Sequence, residues 1–204
     1  MLTLHHAPQS RSTRMLWLLE EIGAPYTVVY TDIPRMDGTG GSDPANPHPD
    51  KKVPALVDDG VLVTESVAIC LYLTDKFPEA GIGPRVGDPL RGAYVTWLAY
   101  YAGVIEPVIT LEFAGLSDNP MLQRTFAGRA KMDQRILDAI KAGPFMLGER
   151  FSAIDILIAS MGQWARKMLP ADDLVDTYIK RASDRPALQR SYARDARPAD
   201  PTSA

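Results

Sequence analysis

The sequence predicts a small α/β domain followed by an all-helical one, and three observations carry that reading. Up to Phe77, short apolar runs alternate with helical patterns in the order strand–helix–strand, loop, hairpin–helix. Pro78 to Pro89 then holds three prolines and three glycines in twelve residues, a stretch that cannot continue a helix. Beyond it no strand pattern recurs.

Each element follows from its residues. Met1 to His6 reads as a short strand ended by Ala7-Pro8. From Arg14, the apolar residues Met15, Leu18, Leu19 and Ile22 recur at helical spacing, with Gly23 placed to end the helix and Pro25 beyond it. Tyr26 to Tyr30 (YTVVY) is β-branched and aromatic, hence a strand. Asp32 to Asp50, rich in Gly, Pro, Asp and Asn, reads as a loop. Val53–Val57 and Val61–Val63 flank Asp58-Asp59-Gly60, a hairpin signal because Gly tolerates the positive φ of a tight turn. Glu65 to Phe77 returns to helical spacing through Ala68, Ile69, Leu71, Tyr72 and Leu73. The α/β domain therefore spans residues 1–78 and residues 79–89 form a linker. Residues 90–192 hold helices at Leu90–Leu116, Met121–Lys141, Ala153–Met168, Asp173–Arg181 and Pro186–Tyr192. A kink or break is expected at Pro107. The polar tail 193–204, with Pro198 and Pro201, is expected to be disordered.

Composition narrows the function. The 204 residues suffice for a real core, and a net charge of −3 excludes a generally basic nucleic-acid binder. The single cysteine, Cys70, excludes an intrachain disulfide framework and fits a reducing compartment. The longest uncharged run, Gly92 to Ile105, is shorter than the roughly 18–20 apolar residues needed to cross a bilayer. No secretory h-region opens the chain, so a cytoplasmic protein without membrane or nucleic-acid partners is expected. His5 and His6 are neighbours in a strand, point to opposite faces and cannot share a metal, so no metal site is expected. Cys70 reads as buried filler, and the mixed charges from Asp172 to Arg197 as a solvated face.

Two constellations can carry chemistry. Ser10 and Ser12 lie between the first strand and the first helix, where unpaired N–H groups and the helix dipole favour an anion. A hydroxyl there can donate to that anion; either serine can equally be a plain N-cap. Neither is read as a nucleophile, because the chain has no G-x-S-x-G elbow. The second constellation is Lys52-Val53-Pro54-Ala55-Leu56 with Thr64-Glu65-Ser66. A cis Val53–Pro54 bond would leave the Val53 N–H and C=O free for an extended peptide ligand. Glu65 and Ser66, opening the next helix, can receive the amino and carboxylate ends of a zwitterion, or simply cap that helix.

In this order and spacing, the strand, the serine four residues before Arg14, K-V-P-A-L, T-E-S, the linker and the helical remainder resemble a cytosolic glutathione S-transferase of the bacterial, serine type. Phe151-Ser152-Ala153-Ile154-Asp155 resembles that family's N-capping box. The resemblance implies a thioredoxin-like N-terminal domain with a mixed four-stranded sheet and helices, an all-α C-terminal domain and a homodimer. It matches Ser10 to the hydroxyl that donates to the glutathione sulfur. Val53, before the family's cis proline at Pro54, matches the residue pairing main chain to main chain with the tripeptide. Glu65 and Ser66 match the γ-glutamyl-binding pair, and Lys52 the residue near the glycyl carboxylate. The segment NPHPDKK departs from the family's usual NPxGK, which leaves the contacts of His48, Lys51 and Lys52 open. No cysteine stands on the sulfur side, which sets aside the thiol-transferase classes and a thioredoxin-type redox role.

In the first long helix, Tyr94, Trp97 and Tyr101 share a face, with Tyr100 beside Val104, and core packing explains them most simply. The resemblance adds that Tyr101, Val104 and Trp164 line a pocket for a hydrophobic electrophile. The implied function is conjugation of the glutathione thiolate, glutathione being co-substrate, in detoxification. The same thiolate would serve a dehalogenase, ether-cleaving enzyme, isomerase or peroxidase, and a non-catalytic ligand-binding homologue shares the fold.

Overall fold

The computed structural model describes residues 1–196. Two compact units divide it: Met1–Leu73 together with the chain from Arg185, and Thr74–Asp184.

The first unit begins with β1 (Leu2–His6), α1 (Thr13–Ile22) and β2 (Tyr26–Tyr30), and the helical crossover makes β1 and β2 parallel. After the long loop come β3 (Ala55–Asp58) and β4 (Val61–Thr64), an antiparallel hairpin turning at Asp59 (φ 47°) and Gly60 (φ 86°). Two positive φ values match the right-handed strand twist, which is why Asp-Gly sits here. β3 also pairs antiparallel with β1, giving a mixed four-stranded sheet in the order β2-β1-β3-β4. Gly23 ends α1 in the left-handed conformation, its N–H returning to the Leu19 carbonyl at 2.9 Å. Leu4, Met15, Leu16, Trp17, Leu18, Leu19, Leu56 and Ile69 form the core. Helix α2 (Ser66–Lys76) follows β4 and runs into the second unit.

That second unit is helical apart from isolated bridges. The break expected at Pro107 has a definite form: α3 (Arg91–Tyr100) passes into a π-helical segment, Tyr101–Ile105, and restarts as α4 (Glu106–Phe113). Proline has no N–H and its ring collides with the carbonyl four residues back. The wider turn, in which Glu106 N–H reaches Tyr101 O, relieves that collision without ending the rod. Residues 121–141, read as one helix, are two: α5 (Pro120–Phe126) and α6 (Gly128–Ala142), parted at Ala127 with φ 63°. Helix α7 (Ala153–Trp164) opens with the expected box, Asp155 accepting the Ser152 N–H at 2.8 Å. Asp155 also receives Met146 N–H at 2.8 Å and the Tyr178 hydroxyl at 2.9 Å, and burial still pushes its carboxyl up to about 6. Helix α8 (Asp173–Ser183) completes the unit.

Helix α9 (Pro186–Asp195) lies along α1 in the first unit, not with the helices it follows. Three residues assigned to the tail, 193–195, belong to it, and the rest of that expected tail from 197 lies outside the described residues. The charges of this stretch are largely exposed, as expected, but several of them also hold partners on α1 and β2. Arg185 holds Glu21 through two bonds of 2.5 and 2.7 Å, Arg190 holds Glu20 at 2.8 Å, and Arg194 stacks on the Tyr26 ring.

Candidate functional site

The sheet register gathers the expected residues at one end. His5 pairs with Ala55 and Ala55 with Thr64, so the exit of β1, the entry of β3 and the exit of β4 are side by side. The Ala7–Ser12 loop, Val53–Pro54 and Glu65–Ser66 all leave from that end. A buried Arg14 guanidinium ties two of them, donating from Nη2 to Ser66 Oγ at 2.8 Å.

The two candidate serines have different fates. Ser12 occupies the N-cap position but makes no side-chain cap. Its hydroxyl is fully buried, 2.7 Å from His6 Nδ1, and accepts the Ala7 N–H at 3.1 Å. Ser10 is half-buried, with Oγ 2.7 Å from Ala7 O and 2.8 Å from Ser12 Oγ. Of the two serines, Ser10 is the one that is not fully buried. Burial drives the His6 pKa down, so the ring is neutral.

Val53–Pro54 is a cis bond, and Val53 makes no backbone hydrogen bond among the described residues. The unusual NPHPDKK loop is held from within. Asn46 accepts His48 N–H at 3.0 Å and donates to Lys52 O at 3.0 Å, while His48 Nδ1 receives Asp50 N–H at 3.0 Å. Lys51 spends its ammonium on Pro44 O and Asn46 O, at 3.2 and 2.7 Å. Lys52 extends an exposed side chain, so of the two lysines it is the one available to an anionic group. Glu65 is exposed in the left-handed conformation (φ 68°), a state costing about 1–3 kcal/mol for a side-chain-bearing residue. Ser66 beside it is buried against Arg14.

On the helical unit, the three expected pocket residues have unlike surroundings. Tyr101 is 1% exposed and joins Tyr94 and Trp97 in the core, Val104 is half-buried, and Trp164 is 70% exposed. Among the described residues no group of three or more His, Cys, Asp or Glu side chains is placed to hold a metal, and no helix is long and apolar enough to cross a membrane. Burial pushes the Cys70 thiol up to about 12, which suits a filler and not a reactive thiolate.

Three features escaped the sequence reading: the Arg14–Ser66 bond, the His6–Ser12 contact and the place of Asp195. Asp195 accepts the Thr13 hydroxyl at 2.5 Å and the Gln9 N–H at 3.2 Å. The first had a signal, since an arginine on an apolar helix face must find a buried acceptor. Nothing local announces a partner 189 residues away from His6.

Residues 1–75 match the family described as glutathione S-transferase, N-terminal domain. Over 190 residues the chain is 28% identical to Glutathione S-transferase GstA of Escherichia coli O157:H7, covering 91% of this chain and 94% of that one. Among solved structures, a glutathione S-transferase from Actinobacillus pleuropneumoniae superposes with TM-score 0.80 at 24% identity, covering 96% of this chain and 93% of that one. A sphingomonad glutathione S-transferase complexed with glutathione gives TM-score 0.74 at 24% identity, over 95% of this chain and 98% of that one.

Proposed function

Because residues 1–75 match the glutathione S-transferase N-terminal domain and the chain is similar to GstA over most of its length, we propose that it is a glutathione S-transferase that binds glutathione at this end of the sheet, holds the sulfur as thiolate beside Ser10 and conjugates it to an electrophilic small molecule. The observation that carries the reading is the pair of fates just described: Ser12 is buried and Ser10 is not. In support, a relative of this fold is a complex with glutathione.

The residues divide the work by chemistry. Val53 offers a main-chain N–H and C=O to an extended tripeptide. Ser66, steadied by Arg14, donates to the γ-glutamyl carboxylate, and Glu65 takes the ammonium beside it. Lys52 faces the glycyl carboxylate. Ser10 gives its hydroxyl proton to the sulfur as a hydrogen bond and forms no covalent link.

A free thiol near pKa ~8.5 is only a few per cent ionised at neutral pH. Lowering that value by one to two units needs about 1.4–2.7 kcal/mol. A hydrogen bond to a charged acceptor supplies about 1.5–3 kcal/mol and a helix N-terminus about 0.3–1, so one hydroxyl at α1 suffices. The thiol proton leaves to solvent, a carbon–sulfur bond forms, and the electrophile's leaving group departs with its bonding pair. The homodimer and the cytoplasmic setting belong to the same reading.

Steady-state kinetics on Ser10→Ala test it. At about pH 6.5, kcat is expected to fall about ten- to fiftyfold, the loss in thiolate fraction, while KM for glutathione changes little. Equal kcat in variant and wild type contradicts it.

A further inference from the structure

His6 and Ser12 are fully buried, so neither can touch a ligand, yet they form a chain that ends on Ser10. The direction of that chain follows from its far end. His6 Nε2 lies 3.1 Å from the Asp195 main-chain oxygen and 3.4 Å from its Oδ1, two atoms that only accept. The ring proton therefore sits on Nε2. Burial keeps the ring neutral, so Nδ1 is a bare lone pair.

At 2.7 Å from Ser12 Oγ, that lone pair takes the single Ser12 proton in preference to Ala7 O, which lies farther away at 3.2 Å. The Ser12 oxygen is left to accept, from Ala7 N–H at 3.1 Å and from Ser10 Oγ at 2.8 Å. Ser10 in turn accepts Ser12 N–H at 3.1 Å and keeps its own proton to give. Inside the protein that proton rests on neutral oxygens, Ala7 O at 2.7 Å or Ser12 Oγ. Turning it outward to an anion exchanges a neutral bond for a charge-assisted one of roughly twice the strength. The Asp195 carboxylate holds the loop on both sides of Ser10, at Gln9 N and Thr13 Oγ1.

We propose that His6 and Ser12 are positioning residues for Ser10. They form a buried hydrogen-bonded chain, anchored by Asp195 of α9, that commits the Ser12 proton inward, fixes the Ser10 side chain and leaves Ser10 to donate outward. The inference rests on the reading of Ser10 as the sulfur's donor, and the test separates the two.

Heteronuclear NMR of the wild-type protein reads the His6 tautomer directly. The neutral Nε2–H form is expected, and an Nδ1–H form or an imidazolium overturns the chain. In kinetics, Ser12→Ala and His6→Leu are expected to lower kcat about threefold to tenfold, the worth of one hydrogen bond, with KM for glutathione unchanged. His6→Asn, whose side-chain oxygen can occupy the place of Nδ1, should recover most of that loss. If Ser10→Ala has no effect, the reading of Ser10 itself fails. If Ser10→Ala is impaired while folded Ser12→Ala and His6→Leu turn over as wild type, or if His6→Asn is as impaired as His6→Leu, the chain alone fails. Should the buried variants not fold, the tautomer of the wild type decides.

Discussion

Arg14 and Ser66 stand 52 positions apart in sequence and 2.8 Å apart in space, joining the first turn of α1 to the first turn of α2. One residue of the pair follows Ser10 by a helical turn, and the other follows Glu65. The bond therefore links the two halves of the proposed tripeptide site. Arg14→Met keeps the apolar stem and removes the charged donor, at an expected stability cost of about 1.5–3 kcal/mol. Glutathione affinity should fall with it. Denaturant unfolding and calorimetric binding check both, and unchanged affinity would free Ser66 from the role given to it.

The grip of α9 on α1 depends on Arg185, whose two bonds hold a nearly buried Glu21 that also accepts Trp17 Nε1 at 2.9 Å. Arg185→Ala leaves that carboxylate with the indole as its remaining strong donor. A loss of about 1–3 kcal/mol is expected, with faster amide exchange along α9. Native-like exchange protection in the variant would show that apolar packing alone holds the helix.

Asp155 gives a pH dependence of definite sign. Burial raises its carboxyl from 3.8 to about 6, so the folded state favours the protonated form. The stability this group contributes is full below about 4 and is lost as the pH rises through about 6. A rise of two units corresponds to about 3 kcal/mol. Urea unfolding followed by tryptophan fluorescence at a series of pH values should show this decline in wild type and its absence in Asp155→Asn. A difference between the two that is flat from acid to neutral pH contradicts it.

Ala127 carries a left-handed backbone between α5 and α6, where its Cβ costs about 1–2 kcal/mol. Ala127→Gly is expected to raise stability by about 1 kcal/mol, read as an increase in melting temperature. A decrease would place the break elsewhere.

These cases show where the sequence spoke and where it fell silent. The hairpin turn at Asp59-Gly60, the αL stop at Gly23 and the Ser152–Asp155 cap were legible because each is decided by residues within four positions of one another. The α/β order up to Phe77 was legible for the same reason, through local periodicity. Ala127 was not, because an alanine gives no sign of a positive φ and the apolar spacing runs through it. Long-range partners were hidden too. Nothing local to Arg185, Arg190 and Arg194 announces that the topology sets Glu21, Glu20 and Tyr26 opposite them. At the site, the resemblance matched Ser10 to the proposed donor, whereas the burial of Ser12 against His6, which supports preferring Ser10, depends on the packed strand and was not legible.

The most direct measurement is the acidity of bound glutathione, followed by thiolate ultraviolet absorbance across pH in wild type and in Ser10→Ala. Wild type should titrate at least about one unit below the free-thiol value of ~8.5, and Ser10→Ala should return most of the way to it. A bound thiol that titrates at the free value in wild type, or at the same lowered value in both proteins, contradicts the account.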